Sequence, residues 1–407
     1  LISRLILGSI GAGFVIGIKM VANWFPPKMV GRAEGFYAGW GNFGSAWAAM
    51  TLPWVALTVF KNWFDLGEDS WRYALALNAL VSLVYGFWYY FLVKDAPEGT
   101  KVEMAKKTEP MTVTSYFDLF QYIVWSFPLI GAMGVLAWRI GGVKVHGEPL
   151  LGSTTLYLIY AGLALLYVVH VVKVLQVNLP VLKKGVAEKD KYPWSSVAAL
   201  NSTYFANFGA ELAVVSMLPM FFETVFSGLT NAAGNHIMTA TLAGLIAASF
   251  AFVNLFARPL GGLLSDKMNN RKKTMLIYMF GIALGFFGMA TIGKYGAEVD
   301  GVMQIVPQFD GMWWLVVAVI ITVACSMFVQ GAEGATFAVI PMIKKNMTGQ
   351  IAGMAGAYGN VGAVVYLVLY SLVDAKTFFY IIAAGAALSF VFCFLALKEP
   401  KDSFAEE

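Results

Sequence analysis

Two stretches of the chain, Glu34–Ala46 (EGFYAGWGNFGSA) and Ala352–Ala363 (AGMAGAYGNVGA), contain the same pattern of glycines around one asparagine. Four positions coincide when the stretches are aligned: Gly35 with Gly353, Gly41 with Gly359, Asn42 with Asn360, and Gly44 with Gly362. Each stretch lies in an apolar segment, directly after a loop that contains proline and lysine. A duplicated glycine-rich helix in corresponding places indicates a transporter built from repeats.

Glycine at helical spacing has two explanations in a membrane protein. It lets two helix backbones approach closely, and it lets backbone line a cavity around a small solute. Because the asparagine recurs in both copies, we predict that Asn42 and Asn360 bind substrate with their amides. The predicted signature glycines are Gly35, Gly39, Gly41, Gly44, Gly353, Gly356, Gly359 and Gly362.

The composition is that of a membrane protein. Of the 407 residues, 59% are hydrophobic and 13% are charged, and the mean hydropathy is +0.69. The net charge of +4 gives no indication of nucleic acid, and there is no phosphate-binding loop of the Walker type. Cys325 and Cys393 lie in apolar segments and are interpreted as core residues. We therefore expect a polytopic all-α membrane protein with no cofactor and no metal.

About eleven segments are long enough to span a bilayer as helices. They lie near 4–25, 34–58, 72–93, 121–141, 154–176, 195–219, 236–264, 274–294, 312–334, 349–373 and 377–397. Lysine and arginine are concentrated in alternate loops, so the positive-inside rule predicts a cytoplasmic C-terminus.

The two signatures also carry a family resemblance. GWGNFGSA (39–46) and GAYGNVGA (356–363), together with IGAGF (10–14), NWFPPK (23–28) and FGAELAVVSMLP (208–219), resemble the nitrate/nitrite porter family of the major facilitator superfamily. The resemblance covers nearly the whole chain. It implies a secondary transporter in the cell membrane, either plasma or inner, that moves nitrate and also nitrite.

The resemblance also implies a division of the chain. Residues 1–93 match helices 4–6 of the N-terminal half, so about three helices are expected to be missing before Leu1. Residues 94–194 form a central cytoplasmic loop with an inserted transmembrane hairpin at 121–176. Residues 195–397 form the C-terminal six-helix half, and 398–407 form a cytoplasmic tail. The family's second substrate arginine belongs to a helix that this sequence does not contain.

Arg258 lies within a span, eight residues before Asp266 and hence about 12 Å from the following loop. An ionised guanidinium at that depth faces a cavity or a partner, and its planar fork suits a planar oxyanion such as nitrate. Asn254, one turn earlier, shares the same face. A structural pair with an intramembrane carboxylate is the alternative. The resemblance favours substrate binding, since the family's substrate arginine occupies the same ARPLGG context.

Three aromatic residues are assigned to the substrate site by the resemblance. In the family, a tyrosine and a phenylalanine of the span at 195–219 contact the anion, and these correspond to Tyr204 and Phe208. Phe14 corresponds to the aromatic clamp of the opposite half. Aromatic residues in membrane spans otherwise serve as packing residues or interface anchors.

Several charged residues have separate interpretations. Glu211 and Glu333 lie within spans and are candidates for proton coupling or for pairing with Arg258. Glu34 is interpreted as a structural residue at a helix N-terminus. GGLLSDKMNNRKK (261–273) resembles the superfamily's gating loop, and the residues that match it are Gly262, Asp266, Arg271 and Lys272.

Together, these residues predict import of nitrate by proton symport with alternating access. The open alternatives are nitrate/nitrite exchange, transport of another small anion, and a nitrate sensor that does not transport. The predicted partners are nitrate or nitrite, protons and the bilayer. The sequence leaves the oligomeric state open.

Overall fold

A computed structural model describes residues 6–97, 110–231, 233–299 and 302–400, and within them the chain forms twelve α-helices. They are α1 (Ala12–Trp24), α2 (Pro27–Trp54), α3 (Ser70–Leu92), α4 (Tyr116–Gly141), α5 (Ser153–Lys184), α6 (Trp194–Val225), α7 (Ala240–Phe252), α8 (Asn254–Lys267), α9 (Arg271–Ala290), α10 (Met312–Ile343), α11 (Thr348–Tyr370) and α12 (Ala375–Ala396). A π-helical segment, Val55–Trp63, continues α2.

Eleven helical segments of the described part of the chain are long and apolar enough to cross a membrane, as the sequence predicted. Helices α7 and α8 count as one span, Thr241–Lys267. The all-α membrane fold is therefore confirmed. Within the predicted central loop, residues 98–109 lie outside the described residues, as do 401–407 of the predicted tail and 1–5 at the beginning.

The span of α7 and α8 is interrupted at Val253. At this break, two side chains of α10 bind the carbonyl oxygen of Phe250: Ser326 Oγ donates at 2.6 Å and Gln330 Nε2 at 2.5 Å. These bonds satisfy a backbone group that lipid cannot satisfy. The break thereby fixes the direction in which α8 leaves, and α8 carries Asn254 and Arg258.

Helices α6, α8, α10 and α11 form the buried centre of the molecule. Long runs of their residues are inaccessible to solvent, including Asn207 and Glu211 on α6 and Gln330 and Glu333 on α10. By contrast, nearly all of α3 is exposed, as apolar side chains facing lipid would be. The candidate site is therefore built on the most buried part of the described fold.

Helices α4 and α5, the hairpin predicted to be inserted between the halves, pack against helices of the predicted C-terminal half. On α4, the Trp125 ring stacks on Phe392 of α12 at 5.3 Å, and the carbonyl oxygen of Trp125 accepts a hydrogen bond from the Tyr358 hydroxyl of α11. Arg139, near the end of α4, donates from Nε to Ser371 Oγ at 2.6 Å. The hairpin is thus held along its length by α11, α12 and the turn between them.

The structure also contains two short pairs of β-strands that were not predicted from the sequence. Strands β1 (Lys144–Val145) and β2 (Glu148–Pro149) form a two-residue pair between α4 and α5, whereas β3 (Gly293–Val299) and β4 (Val302–Pro307) form a longer antiparallel hairpin after α9. The Tyr295 hydroxyl of β3 binds Asp374, the N-cap of α12, at 3.3 Å. Burial raises the pKa of the Asp374 carboxyl, but hydrogen bonds from Thr377 and Tyr295 lower it by a larger amount. The pKa of Asp374 therefore lies below its usual value.

Candidate anion site

The centre of the site is a buried ion pair between α8 and α10. Arg258 and Glu333 are both fully buried, and Nη1 of Arg258 lies 2.6 Å from Oε2 of Glu333. The two atoms are close enough for an ion pair, although they are not aligned as a hydrogen bond. The intramembrane carboxylate partner that the sequence left open for Arg258 is therefore Glu333.

Tyr204 of α6 completes the polar part of this centre. Arg258 Nη2 donates to the Tyr204 hydroxyl at 2.9 Å. Because the hydroxyl oxygen accepts this bond, its own hydrogen remains available for another acceptor. The arginine thus bridges a carboxylate and a hydroxyl that come from two different helices.

Aromatic rings surround the guanidinium. The Cζ atom of Arg258 lies 5.8 Å from the ring centroid of Phe14 and 6.0 Å from that of Phe337, within cation–π range. The rings of Tyr204 and Phe208 stack at 5.0 Å. Three of these four aromatic residues were predicted from the resemblance, and the structure brings them to one place around Arg258.

A second polar group lies one turn away along α8. Asn254 Nδ2 donates to Glu211 Oε1 at 2.5 Å, and Asn42 Nδ2 donates to Glu211 Oε2 at 3.4 Å. Asn42 belongs to α2, whereas Glu211 belongs to α6. The carboxylate of Glu211 thus links the predicted N-terminal half to the predicted C-terminal half.

Asn360 differs from its counterpart in the first signature. Its side chain is exposed and donates from Nδ2 to Gly356 O, within the same helix, at 3.0 Å. In the described part of the chain the Asn360 amide thus bonds to its own helix and not to Arg258, and its contact with substrate stays a prediction. Helix α11 packs against α6 at Gly359 and against α4 at Tyr358, whereas the Asn360 side chain is exposed.

Four of the predicted signature glycines lie at close helix contacts. A Cβ at Gly35 would lie 2.5 Å from Arg258 O, and one at Gly39 would lie 2.6 Å from Asn254 O. On α11, a Cβ at Gly359 would meet the Tyr204 and Phe208 rings, and one at Gly362 would meet the backbone of α6. A Cβ added at any of the other four would meet no atom within 4 Å among the described residues; these are Gly41, Gly44, Gly353 and Gly356. Close packing therefore explains half of the set.

The predicted gating loop joins α8, α9 and α2. Asp266 Oδ1 lies 3.1 Å from Arg271 Nη1, and Asp266 Oδ2 accepts a bond from the backbone nitrogen of Arg32 at 3.0 Å. Glu399, which follows α12, accepts from the backbone nitrogens of Arg271 and Lys272 at 3.0 and 2.8 Å.

Two further loop residues have distinct surroundings. A Cβ at Gly262 would overlap the backbone of Gly31, so α2 and α8 touch here. The Lys272 ammonium lies 5.5 Å from the centroid of the Phe394 ring rather than at Asp266. The loop therefore joins the end of α8 to α2 chiefly through Asp266.

Glu34 is not at a helix N-terminus, which corrects the interpretation made from the sequence. Helix α2 begins at Pro27, so Glu34 lies about two turns inside it, beyond the reach of the helix dipole. Its side chain is fully buried, and neither carboxylate oxygen has a hydrogen-bond partner.

Comparison with known proteins places these features in a family. A family model of the Major Facilitator Superfamily matches residues 200–407. The chain is 40% identical to the nitrate/nitrite transporter NrtP of Picosynechococcus sp., covering 100% of the chain and 77% of that protein. It is 42% identical to NrtP of Nostoc punctiforme, covering 99% of the chain and 75% of that protein. The chain belongs to the nitrate/nitrite porter family of the major facilitator superfamily.

A plant relative of this porter is more distant. The high-affinity nitrate transporter 2.3 of Oryza sativa subsp. japonica is 34% identical over 90% of the chain and 53% of its own length. All three relatives are named as transporters, in agreement with the expectation that the chain is not an enzyme.

Sequence reasoning missed one wall of the porter's anion site, Phe337. Its ring packs edge-on against Tyr204 at 5.0 Å and against Phe14 at 5.2 Å. Phe337 lies four residues after Glu333 on α10, so the two share a helix face. The sequence could therefore have predicted Phe337 as a site residue, because a residue on the same helix face as an intramembrane carboxylate also faces the interior of the helix bundle.

Proposed function

We propose that this porter moves nitrate, and also nitrite, across the membrane by alternating access, with Arg258 as the anion-binding residue. The observation that carries the proposal is the fully buried guanidinium held between Glu333 and Tyr204. A buried arginine in a membrane span marks a substrate pathway or a counter-ion. The names of the two cyanobacterial relatives supply the substrate class.

Nitrate binding at Arg258 follows from the hydrogen-bonding capacity of the site. A planar anion with three oxygens can accept two parallel N–H bonds from one guanidinium. The Tyr204 hydroxyl, which accepts from Arg258, can then donate its hydrogen to a nitrate oxygen. Phe14 and Phe208 flank the anion and exclude water, which strengthens these bonds. Asn254 and Asn42 hold Glu211 beside the site.

Proton coupling arises from competition between Glu333 and the anion. In this conformation Glu333 occupies the side of Arg258 that a nitrate oxygen would require. Two negative groups cannot share one guanidinium in a medium of low polarity without repulsion. Protonation of Glu333 removes its charge and releases Arg258, so one proton enters the site with each anion.

Glu333, rather than Glu211, is assigned the coupling proton. Glu211 accepts hydrogen bonds from Asn254 and Asn42. Neither oxygen of Glu333 has an aligned donor. A proton on Glu333 therefore displaces no hydrogen bond and can be donated to the neighbouring carboxylate of Glu211, whereas a proton on Glu211 competes with two bonds that it already accepts. Glu211 is assigned instead to the contact between the halves.

Alternating access is proposed to be a movement of residues 1–93 against residues 195–397. Helices α2 and α8 are in contact at Gly31, Gly35 and Gly39, and their separation would open one side of the site. The Asp266–Arg271 pair and its bond to Arg32 close the end that the positive-inside rule places in the cytoplasm. The C-terminus is then cytoplasmic.

Nitrate uptake into proteoliposomes tests the proposal. [15N]nitrate uptake is measured with the purified porter, with and without an inward proton gradient, and Arg258→Lys is measured in parallel. We expect uptake driven by the gradient in the wild type and strongly reduced uptake in the variant. Uptake that ignores the gradient and requires internal nitrite would make the porter an exchanger. No uptake of nitrate or nitrite by folded protein would contradict the substrate assignment and would leave another small anion or a sensor role.

A further inference from the structure

Glu34 is a buried acid that the proposed transport mechanism does not use. It lies on α2 between two close contacts with α8. Gly31 contacts Asp266 and Gly262 on one side of it, and Gly35 contacts the backbone oxygen of Arg258 on the other. The side chain is fully buried, and both carboxylate oxygens lack a hydrogen-bond partner. An ionised carboxylate without partners is strongly disfavoured in such a place, and such a group becomes neutral instead.

The charged groups around Glu34 do not compensate its charge. Arg271, at the start of α9, and Asp266, at the end of α8, are the charged groups that act on its carboxyl. Arg271 is already 3.1 Å from Asp266, so the positive charge near Glu34 is matched by a nearer negative one. On α10, which closes this crevice with Ala338, the one charged residue is Glu333, and it pairs with Arg258.

The other segments packed on α2 offer no partner either. Lys19 of α1 and Arg72 of α3 are exposed. Lys61 lies at the far end of the π-helical segment and binds Glu68 at 2.7 Å. α7 contains no charged residue. Within the described residues, Glu34 is thus an acid enclosed by a helix contact that has to open during transport.

We propose that Glu34 binds one proton when α2 and α8 close at this end of the porter and releases it to the cytoplasm when they separate. The proton comes from water on the same side to which it returns, so it is not carried across the membrane. Glu34 is therefore a pH-sensitive latch, distinct from the coupling proton on Glu333. This inference rests on the proposed alternating access and on the cytoplasmic location of this end.

The direction of the effect follows from linkage. The closed state holds one proton more than the open state, so acid on the cytoplasmic side favours closure. The ratio of open to closed protein changes by up to about tenfold per pH unit in the range where Glu34 titrates. Replacement by glutamine keeps the shape of the side chain and removes the titration.

A readout that does not require nitrate tests the latch. Val30, on α2 at the same end, is buried, and Val30→Cys in a background without Cys325 and Cys393 provides a reporter for opening. Alkylation of this cysteine by a maleimide is measured in reconstituted protein between about pH 5 and pH 8. Each rate is divided by the rate for the same protein denatured in detergent, which corrects for thiol ionisation.

We expect the corrected rate to rise with pH in the Glu34 protein, by up to about tenfold per unit, and to be low and independent of pH in Glu34→Gln. Glu34→Asp should restore a pH dependence. Glu188→Gln, an exposed acid on the same side that binds Lys191, should retain the original profile. A pH dependence that persists in Glu34→Gln, or one absent from the original protein, would overturn the proposal. Because no substrate is present, neither result depends on which anion the porter carries.

Discussion

Glu333 Oε2 lies 2.6 Å from Arg258 Nη1, and both side chains are fully buried at the centre of the porter. An ion pair in this environment is a balance between attraction and lost hydration, and removal of one partner leaves the other uncompensated. Such a pair is a poor source of stability but a sensitive switch. A proton or an anion that changes the charge of one partner changes the state of the other.

Arg258→Lys should weaken nitrate binding strongly although it retains the positive charge. An ammonium cannot offer two parallel N–H bonds to a planar anion, and the loss of one charged hydrogen bond weakens binding by about 10- to 100-fold. Nitrate affinity is measured by isothermal titration calorimetry. Arg72→Lys is the control, because Arg72 is exposed and pairs with Asp69 at the surface. Unchanged affinity in Arg258→Lys would contradict the site.

Tyr204→Phe should weaken nitrate binding by about tenfold without abolishing it, because one hydrogen bond to a charged group is lost. The ring remains and continues to stack on Phe208. Tyr157→Phe, on the exposed face of α5, serves as the matched control and should have no effect. Equal affinities in the wild type and Tyr204→Phe would mean that the hydroxyl only positions Arg258.

Gly39→Ala should destabilise the porter, whereas Gly41→Ala should not. A Cβ at Gly39 would lie 2.6 Å from the backbone oxygen of Asn254, which cannot move as a side-chain end can. Overpacking of this kind costs about 1–3 kcal/mol. Gly41 has open space, and alanine favours a helix by about 1 kcal/mol over glycine. Thermal unfolding in detergent measures both, and equal Tm values would contradict the close contact.

Asp374→Asn should make the decrease in thermal stability at acid pH less steep. The pKa of Asp374 lies below its usual value in the folded protein, so its contribution is present above the unfolded pKa of about 3.9 and is lost as pH falls through the lower folded pKa. We expect Tm to fall less steeply below about pH 4 in the variant, and the difference to be only about 1–2 °C because the Asp374 side chain is partly exposed to solvent. Asp310→Asn, in the exposed loop before α10, is the control. Parallel Tm profiles for Asp374→Asn and the wild type would contradict this assignment.

The sequence predicted the spans and the central arginine well, because both depend on local composition. Long apolar segments and a charge inside one of them are visible without any knowledge of packing. The resemblance added Tyr204 and Phe14, which lie at the guanidinium, and Phe208, which stacks on Tyr204.

The structure differs from the sequence-based expectation where helix packing decides the orientation of a side chain. Asn42 and Asn360 match in sequence, but α2 turns Asn42 toward Glu211 while α11 leaves Asn360 exposed. Glu34 was misplaced because the start of α2, at Pro27, lies earlier than the apolar pattern suggests. Which carboxylate faces Arg258 depends on how α10 lies against α8, and no spacing within one helix contains that information.

The proton uptake that accompanies nitrate binding tests the central claim most directly. Calorimetric titrations of the purified porter with nitrate, in buffers of different ionisation enthalpy, give the number of protons taken up per anion bound. The account predicts an uptake that approaches one proton per nitrate in the wild type and disappears in Glu333→Gln, which should still bind nitrate. Proton uptake that is unchanged in Glu333→Gln, or absent from a wild type that binds nitrate, would contradict the competition between Glu333 and the anion for Arg258.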